Sequence, residues 1–220
     1  MYYKTWVKLI KRRKAIPLTK DLVRGMAVAG ILYGRPDFAA AILVGFAGLL
    51  RTGEICSIQM KDVRIVRDDL MSISLDNSKG ALRSGTSESV LLRDPALINI
   101  IRSLKFKFGD ERNLFNGDYR TFRCMYSKAA CFFGLHNDRA TPHGIRRGGA
   151  TWHFLLLNSY DLTQSLGRWQ QARTAKSYID EAVAESTQAS LPAYGQARLK
   201  RANKVLGRLL RRNFPTPPSP

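Results

Sequence analysis

The sequence predicts an α+β fold, mostly α, in which a small three-stranded antiparallel sheet packs on a helical core. Two observations carry this. Apolar residues recur at helical spacing along most of the chain. Between Val63 and Leu92 that spacing gives way to strand-like alternation. The order is therefore helices, one grouped sheet, then helices, a pattern of α+β folds rather than of alternating α/β ones.

Residues 1–18, aromatic and basic and closing on Ile16-Pro17-Leu18, read as a linker. A helix follows over about Thr19–Tyr33, ended by Gly34. Pro36 then sits in the first turn of a second helix reaching Leu50. That second helix is apolar nearly all round and should be buried. Leu50-Arg51-Thr52-Gly53-Glu54 breaks it, and a short helical turn comes next. Strands are expected at Val63–Val66, Leu70–Leu75 and Ser89–Leu92. Asp68-Asp69 joins the first two, and a polar loop from Asp76 to Ser87 precedes the third. Asp94-Pro95 is an N-cap followed by proline, a strong helix start. Helices are expected at about 95–107, 119–133, 142–157, 161–167 and 173–185. After Leu191 comes a basic amphipathic stretch, LKRANKVLGRLLRR, and then FPTPPSP, which composition marks as disordered. The expected organisation is a basic linker (1–16), a domain (17–187), and a basic C-terminal helix with a Pro-rich tail (188–220).

The 220 residues carry 36 Lys+Arg against 17 Asp+Glu, a net charge of +19. That surplus favours a polyanionic partner, nucleic acid or an anionic membrane surface. It is concentrated at the ends, since residues 1–20 and 187–220 each hold seven basic side chains and no acidic one. Two solvated tails on an ordinary globule would account for the charge, so charge alone does not assign a function. Cys56, Cys124 and Cys131 lack metal-type spacing and read as reduced thiols, as in a cytosolic or nuclear setting. The longest apolar run, Phe38–Leu50, is too short to span a bilayer. No targeting segment or internal repeat is evident.

Four short pieces carry chemistry. Arg51 follows the buried helix with Glu54 one turn on, an arrangement that a local ion pair would explain. His143 and Arg146 in Thr141-Pro142-His143-Gly144-Ile145-Arg146-Arg147 share one face of a helix start, where Thr141 can cap and where anions are favoured. Leu166-Gly167-Arg168-Trp169 precedes Ser177-Tyr178-Ile179, with Trp169 nine residues before Tyr178. Lys79 lies in the loop between the second and third strands. Singly, these are a surface histidine, a core tryptophan, a half-buried tyrosine and a solvated lysine. Their combination in this order is far less ordinary.

Together the pieces resemble the catalytic domain of the tyrosine recombinase, or phage integrase, family over roughly residues 17–185. LLRTGEI is similar to the family's first-arginine motif, PHGIRR to its His-x-x-Arg box, and LGRWQQARTAKSYI to the box that ends in the nucleophilic tyrosine. Lys79 matches the family's lysine on a sheet hairpin. Arg168 stands where many members have histidine, and Arg147 departs similarly. The Gly-Arg-Trp form is similar to eukaryotic transposon-type members. The helical N-terminal domain that closes the family's clamp on DNA is missing, as in a fragment or relic.

The resemblance implies an integrase-type domain acting on double-stranded DNA, as tetramers on two duplexes, without cofactor or metal. Tyr178 attacks a phosphodiester to give a 3′-phosphotyrosyl link and a free 5′-hydroxyl. A tyrosine in water holds its proton to about pH 10, so the attack needs help. Arg51 and Arg146 suit the phosphorane-like transition state, being planar, permanently charged and bidentate toward phosphate. Lys79 is the candidate general acid for the leaving oxygen, and His143 accepts or relays the tyrosine proton. Trp169 offers only an indole N–H and a packing surface, and Glu54 orients its neighbours. Two rivals remain: an inactive recombinase-derived DNA-binding relic, and a basic scaffold at a membrane surface. The C-terminal stretch leaves two uses open, contact with DNA phosphates or docking of its apolar face on a neighbouring protomer.

Overall fold

The computed structural model describes residues 14–75, 88–136 and 139–217. The helices before the sheet are α1 (Lys20–Leu32), α2 (Pro36–Ala47) and α3 (Thr52–Ser57). A 3-10 turn at Met60–Asp62 leads into β1 (Val63–Arg67), β2 (Leu70–Ser74) and β3 (Ser89–Leu92). Then come α4 (Pro95–Phe108), α5 (Tyr119–Phe132), α6 (His143–Leu157), α7 (Tyr160–Leu166), α8 (Ala172–Tyr178), α9 (Glu181–Ala189) and α10 (Ala193–Asn213). The fold is α+β and mostly α, with a three-stranded antiparallel sheet in the order β1-β2-β3.

Local chemistry sets the element starts. The Thr19 hydroxyl accepts from the Leu22 N–H at 3.1 Å, and the Asp94 carboxylate accepts from the Ala96 and Leu97 N–H groups. Each satisfies donors that a helix start leaves free. α2 is the central helix: Phe38, Ala39, Ala40, Ala41, Ile42 and Val44 are all buried, and it packs on α1, α3, α4 and α6. In the sheet Val63 faces Ile73 and Met71 faces Leu92. This register puts Val63, Met71, Ile73, Val90 and Leu92 on one buried face. No helix among the described residues is long and apolar enough to cross a membrane, and Cys56, Cys124 and Cys131 are free thiols.

Four local expectations are corrected. The helix expected over 173–185 is two helices, because Ile179 is extended and Asp180 caps α9, its carboxylate accepting from the Val183 N–H. The Asp180 N–H in turn donates to Thr151 Oγ1. Aspartate competes with helical backbone more effectively as a cap than inside a helix. Thr141 caps with its carbonyl, which accepts from the Gly144 N–H, and not with its hydroxyl. Ile16-Pro17-Leu18 is no linker: it is buried, with the Leu18 N–H donating to the Gly144 carbonyl. Gly148 permits that approach, since a Cβ there would collide with the Leu18 carbonyl. Finally Phe214, within the segment expected to be disordered, is 1% exposed, and its carbonyl accepts from Asn99. Burying a phenylalanine is worth about 1.5–3 kcal/mol, enough to fix a short segment.

The apolar face of α10 is also settled. Leu199, Ala202 and Leu206 are buried in the same core, with Val205, Leu209 and Leu210 packed against it. The contact is intramolecular, on α1, and close: a Cβ on Gly25 would lie 2.6 Å from Leu199 Cδ1.

Candidate active site

Glu54 is the hub of the site. It lies in the first turn of α3, is 5% exposed, and draws three arginines to one carboxylate. Its Oε2 accepts from the Arg51 N–H at 2.8 Å, and its Oε1 lies 2.5 Å from Arg51 Nη1. Arg168 Nη2 donates to Oε2 at 2.8 Å, and Arg146 Nη1 lies 3.9 Å from the same oxygen. The local Arg51–Glu54 pair expected from the motif therefore exists, as one part of a larger cluster.

The cluster depends on an unusual backbone segment at the end of α2. Leu49 has a left-handed φ of +48°, and so does Arg168, at +54°. The Leu49 carbonyl accepts from Arg146 Nη1 and the Gly48 carbonyl from Arg168 Nη1 at 3.3 Å. Arg146 Nη2 donates to the Gly167 carbonyl at 2.6 Å. Arg168 also lies 3.5 Å from Glu88, the residue before β3, so it ties the sheet to the helical half.

Over Arg146 lie two rings. Trp169 is 4.8 Å and Tyr178 5.7 Å from its guanidinium, and the two rings pack together at 4.8 Å with a tilt of 43°. The stack rests on Leu49, Ala150 and Ala175. His143, at the exposed start of α6, meets the Tyr178 ring edge-on at 5.3 Å. The structure thus brings Arg51, His143, Arg146, Trp169 and Tyr178 together around Glu54. Lys79 lies outside the described residues. No hydrogen bond to the Tyr178 hydroxyl is formed among the described residues, so its oxygen is not committed to a structural partner there.

Electrostatics follow from burial. Arg146 is 1% exposed, and desolvation, then the charges of Arg51 and Arg168, lower its pKa to about 10. It remains cationic at neutral pH. Its Nε–H has no hydrogen-bond partner among the described residues, and a buried N–H without a partner marks a place for an acceptor. Desolvation on its packed side, then Arg146, Arg147 and Arg51, hold the His143 pKa below its ordinary 6.5. The imidazole is therefore neutral at pH 7 and able to accept a proton.

Two residues have larger parts than their motifs indicated. Arg168 was legible only as a departure from histidine, yet it is the second cation on Glu54. Arg147 anchors the tyrosine segment. It donates to the Ala15 carbonyl and to the Ser177 carbonyl at 3.4 Å, and lies 3.5 Å from Asp180. The available signal was one acidic residue, Glu54, in a motif set with five arginines. Among the described residues there is no group of three or more His, Cys, Asp or Glu side chains placed to hold a metal.

No protein-family model matches the sequence, and no relative is matched among curated proteins. Solved structures do match. XerH site-specific recombinase bound to difH substrate in a pre-cleavage complex has a TM-score of 0.59 at 15% identity, covering 77% of this chain and 52% of that one. The same recombinase with palindromic difH in a post-cleavage complex gives 0.61 at 15%, over 80% and 53%. XerA recombinase gives 0.60 at 16%, over 83% and 67%. The chain spans about half the length of the XerH chain. The fold is that of a tyrosine recombinase catalytic domain.

Proposed function

We propose that this chain is the catalytic domain of a site-specific recombinase that cleaves and rejoins double-stranded DNA through Tyr178. The observation that carries the reading is the convergence of Arg51, His143, Arg146, Trp169 and Tyr178 around Glu54, from three separate stretches of sequence. The XerH site-specific recombinase structures, solved with difH substrate before and after cleavage, support a nucleic-acid substrate at the level of a shared fold.

In the proposed reaction the Tyr178 oxygen attacks the scissile phosphorus and the bond to the 5′-oxygen breaks. His143 accepts the phenolic proton, and the departing 5′-oxygen leaves as a hydroxyl after taking a proton from Lys79. Rejoining reverses these transfers, so the phosphotyrosyl bond stores the bond energy. Arg51 and Arg146 hold the non-bridging oxygens. Glu54 fixes both guanidinium groups before substrate arrives, which is the preorganisation that electrostatic catalysis requires. Trp169 braces the Tyr178 ring. Arg51 is 37% exposed and open to a phosphate. Arg146 lies beneath the Trp169–Tyr178 stack, so its contact with phosphate requires that stack to shift.

The test is incubation with a nicked suicide duplex carrying a site selected from a random pool, followed by mapping of any covalent adduct. An adduct on Tyr178 is expected. Cleavage-competent binding with an adduct elsewhere, or with none, overturns the reading and leaves a recombinase-derived DNA-binding protein.

A further inference from the structure

We infer that helix α10 carries a second duplex-DNA surface, separate from the Tyr178 site, that grips phosphates without reading bases. At about 100° per residue, Leu199, Ala202 and Leu206 define one face of α10, and all are buried. Lys200, Arg201, Lys204, Arg208, Arg211 and Arg212 fall within an arc of about 120° on the opposite face, and all six are exposed. Over their span the helix rises roughly 18 Å, long enough to follow several phosphates of one backbone.

These charges have no role in holding the fold. Among the described residues none of the six has an ion-pair partner within 4 Å. The helix contains no acidic residue, and its like charges four apart, such as Lys204 and Arg208, repel. Only Arg211 and Arg212, in the last turn, gain from the helix dipole. Two carboxylates, Asp21 and Glu185, line a cavity together with Lys200 and Lys204, and none of the four arginines lines it, so the test is placed on the arginines.

The partner follows from what the helix has left to offer. An amphipathic helix binds a membrane through its apolar face, but that face is filled by α1 and the core. The same occupancy removes docking of that face on a second copy. A rigid row of cations on a helix fixed by Gly25 and by the Asn203–Asp21 hydrogen bond fits a regular polyanion, and duplex DNA is the regular polyanion the chain's overall charge favours. The inference does not depend on Tyr178 being catalytic.

The test measures binding of the full chain to a random-sequence duplex at several salt concentrations. The variant carries Arg201→Ala, Arg208→Ala, Arg211→Ala and Arg212→Ala. Each phosphate that the variant no longer neutralises should lower the slope of log affinity against log salt by about 0.9, a total of about 3–4, with all sequences weakened alike. Glutamine at the same four positions keeps helix propensity and a polar side chain without the charge, and must give the same weakening. Lysine there must restore binding. Slopes equal to the parent's in the alanine and glutamine variants overturn the inference. So does a defect confined to binding of phosphatidylserine vesicles. A lowered slope in a chain whose Tyr178 forms no adduct keeps the stripe and removes the recombinase reading; the converse result removes the stripe alone.

Discussion

Glu54 and helix α10 both gather arginines, and the molecule treats the two groups in opposite ways. Around Glu54, Arg146 and Arg168 are buried or nearly so, held by backbone carbonyls and sharing one carboxylate with the half-open Arg51. On the outer face of α10 the six stripe cations are exposed and, among the described residues, form no ion pair within 4 Å. Burial makes the position of each guanidinium matter, because every N–H must be matched or face a desolvation penalty. Exposure makes only the number and spacing of charges matter. The first arrangement suits chemistry at one phosphorus atom, and the second suits affinity spread along a backbone.

The two regions part most clearly at Tyr178. Tyr178→Phe removes one oxygen and no charge, so it is expected to abolish covalent attachment while duplex affinity stays within about twofold, as phosphate contacts dominate affinity. Gel detection of a protein–DNA adduct from the variant would refute the nucleophile assignment. The next largest effect is at Glu54. Glu54→Ala leaves three guanidinium groups without their shared carboxylate, and breaking a buried pair costs about 3–5 kcal/mol. For a chain of this size that is a drop in Tm of roughly 10 °C, measurable by calorimetry. A drop of no more than a degree or two would show that the hub is not preorganised.

The two regions differed in how far sequence revealed them. The basic stripe was legible because it is a count and a periodicity, both local. So were α1, α2 and the sheet, whose caps and alternation lie within a few residues. What was not legible depends on distant partners. Asp180 breaks a helix because Thr151 and Arg147 are there to receive it. Phe214 is ordered because the core and Asn99 meet it. Ile16 and Leu18 are buried because glycines in α6 let their backbone approach. Arg168 could be seen as a substitution but not as a second cation on Glu54, since its left-handed φ and its reach to Gly48 exist only in three dimensions. The motif residues themselves meet in space, apart from Lys79, which lies outside the described residues.

The two regions also respond differently to pH. His143 has its pKa below 6.5 through desolvation and the charges of Arg146, Arg147 and Arg51. Just below pH 6.5 the unfolded chain therefore binds more protons than the folded one. The stability this neutral imidazole allows is complete above pH 6.5 and is lost as pH falls through the folded value. The cleavage rate should show an acid limb below pH 6.5, where the base becomes protonated. In His143→Asn that limb should flatten and the plateau should fall by about 10²-fold, the lower end of the range for a positioned acid–base group. Random-duplex binding by α10 contains no group titrating there, so it should stay level across the same range. An acid limb unchanged in the variant would remove His143 from proton transfer.

The smallest expected effect is the most direct contrast between the two regions. Lysine keeps the charge of arginine but loses its planar fork and its paired donors. Arg201→Lys and Arg208→Lys together should therefore change random-duplex affinity by less than about twofold, because counterion release counts charges and not their geometry. Arg146→Lys should behave otherwise. A single ammonium cannot reproduce separate Nη contacts to the Leu49 and Gly167 carbonyls together with the guanidinium contact on Trp169. Cleavage in that variant should fall by at least about 10²-fold, the scale of losing one preorganised electrostatic donor, while its affinity for random duplex barely moves. The measurement is a pair of salt titrations beside a single-turnover cleavage assay for each variant. Equal sensitivity to lysine at both places would mean that the buried cluster, like the stripe, contributes only charge. In that case the preorganised geometry around Glu54 would have no catalytic consequence.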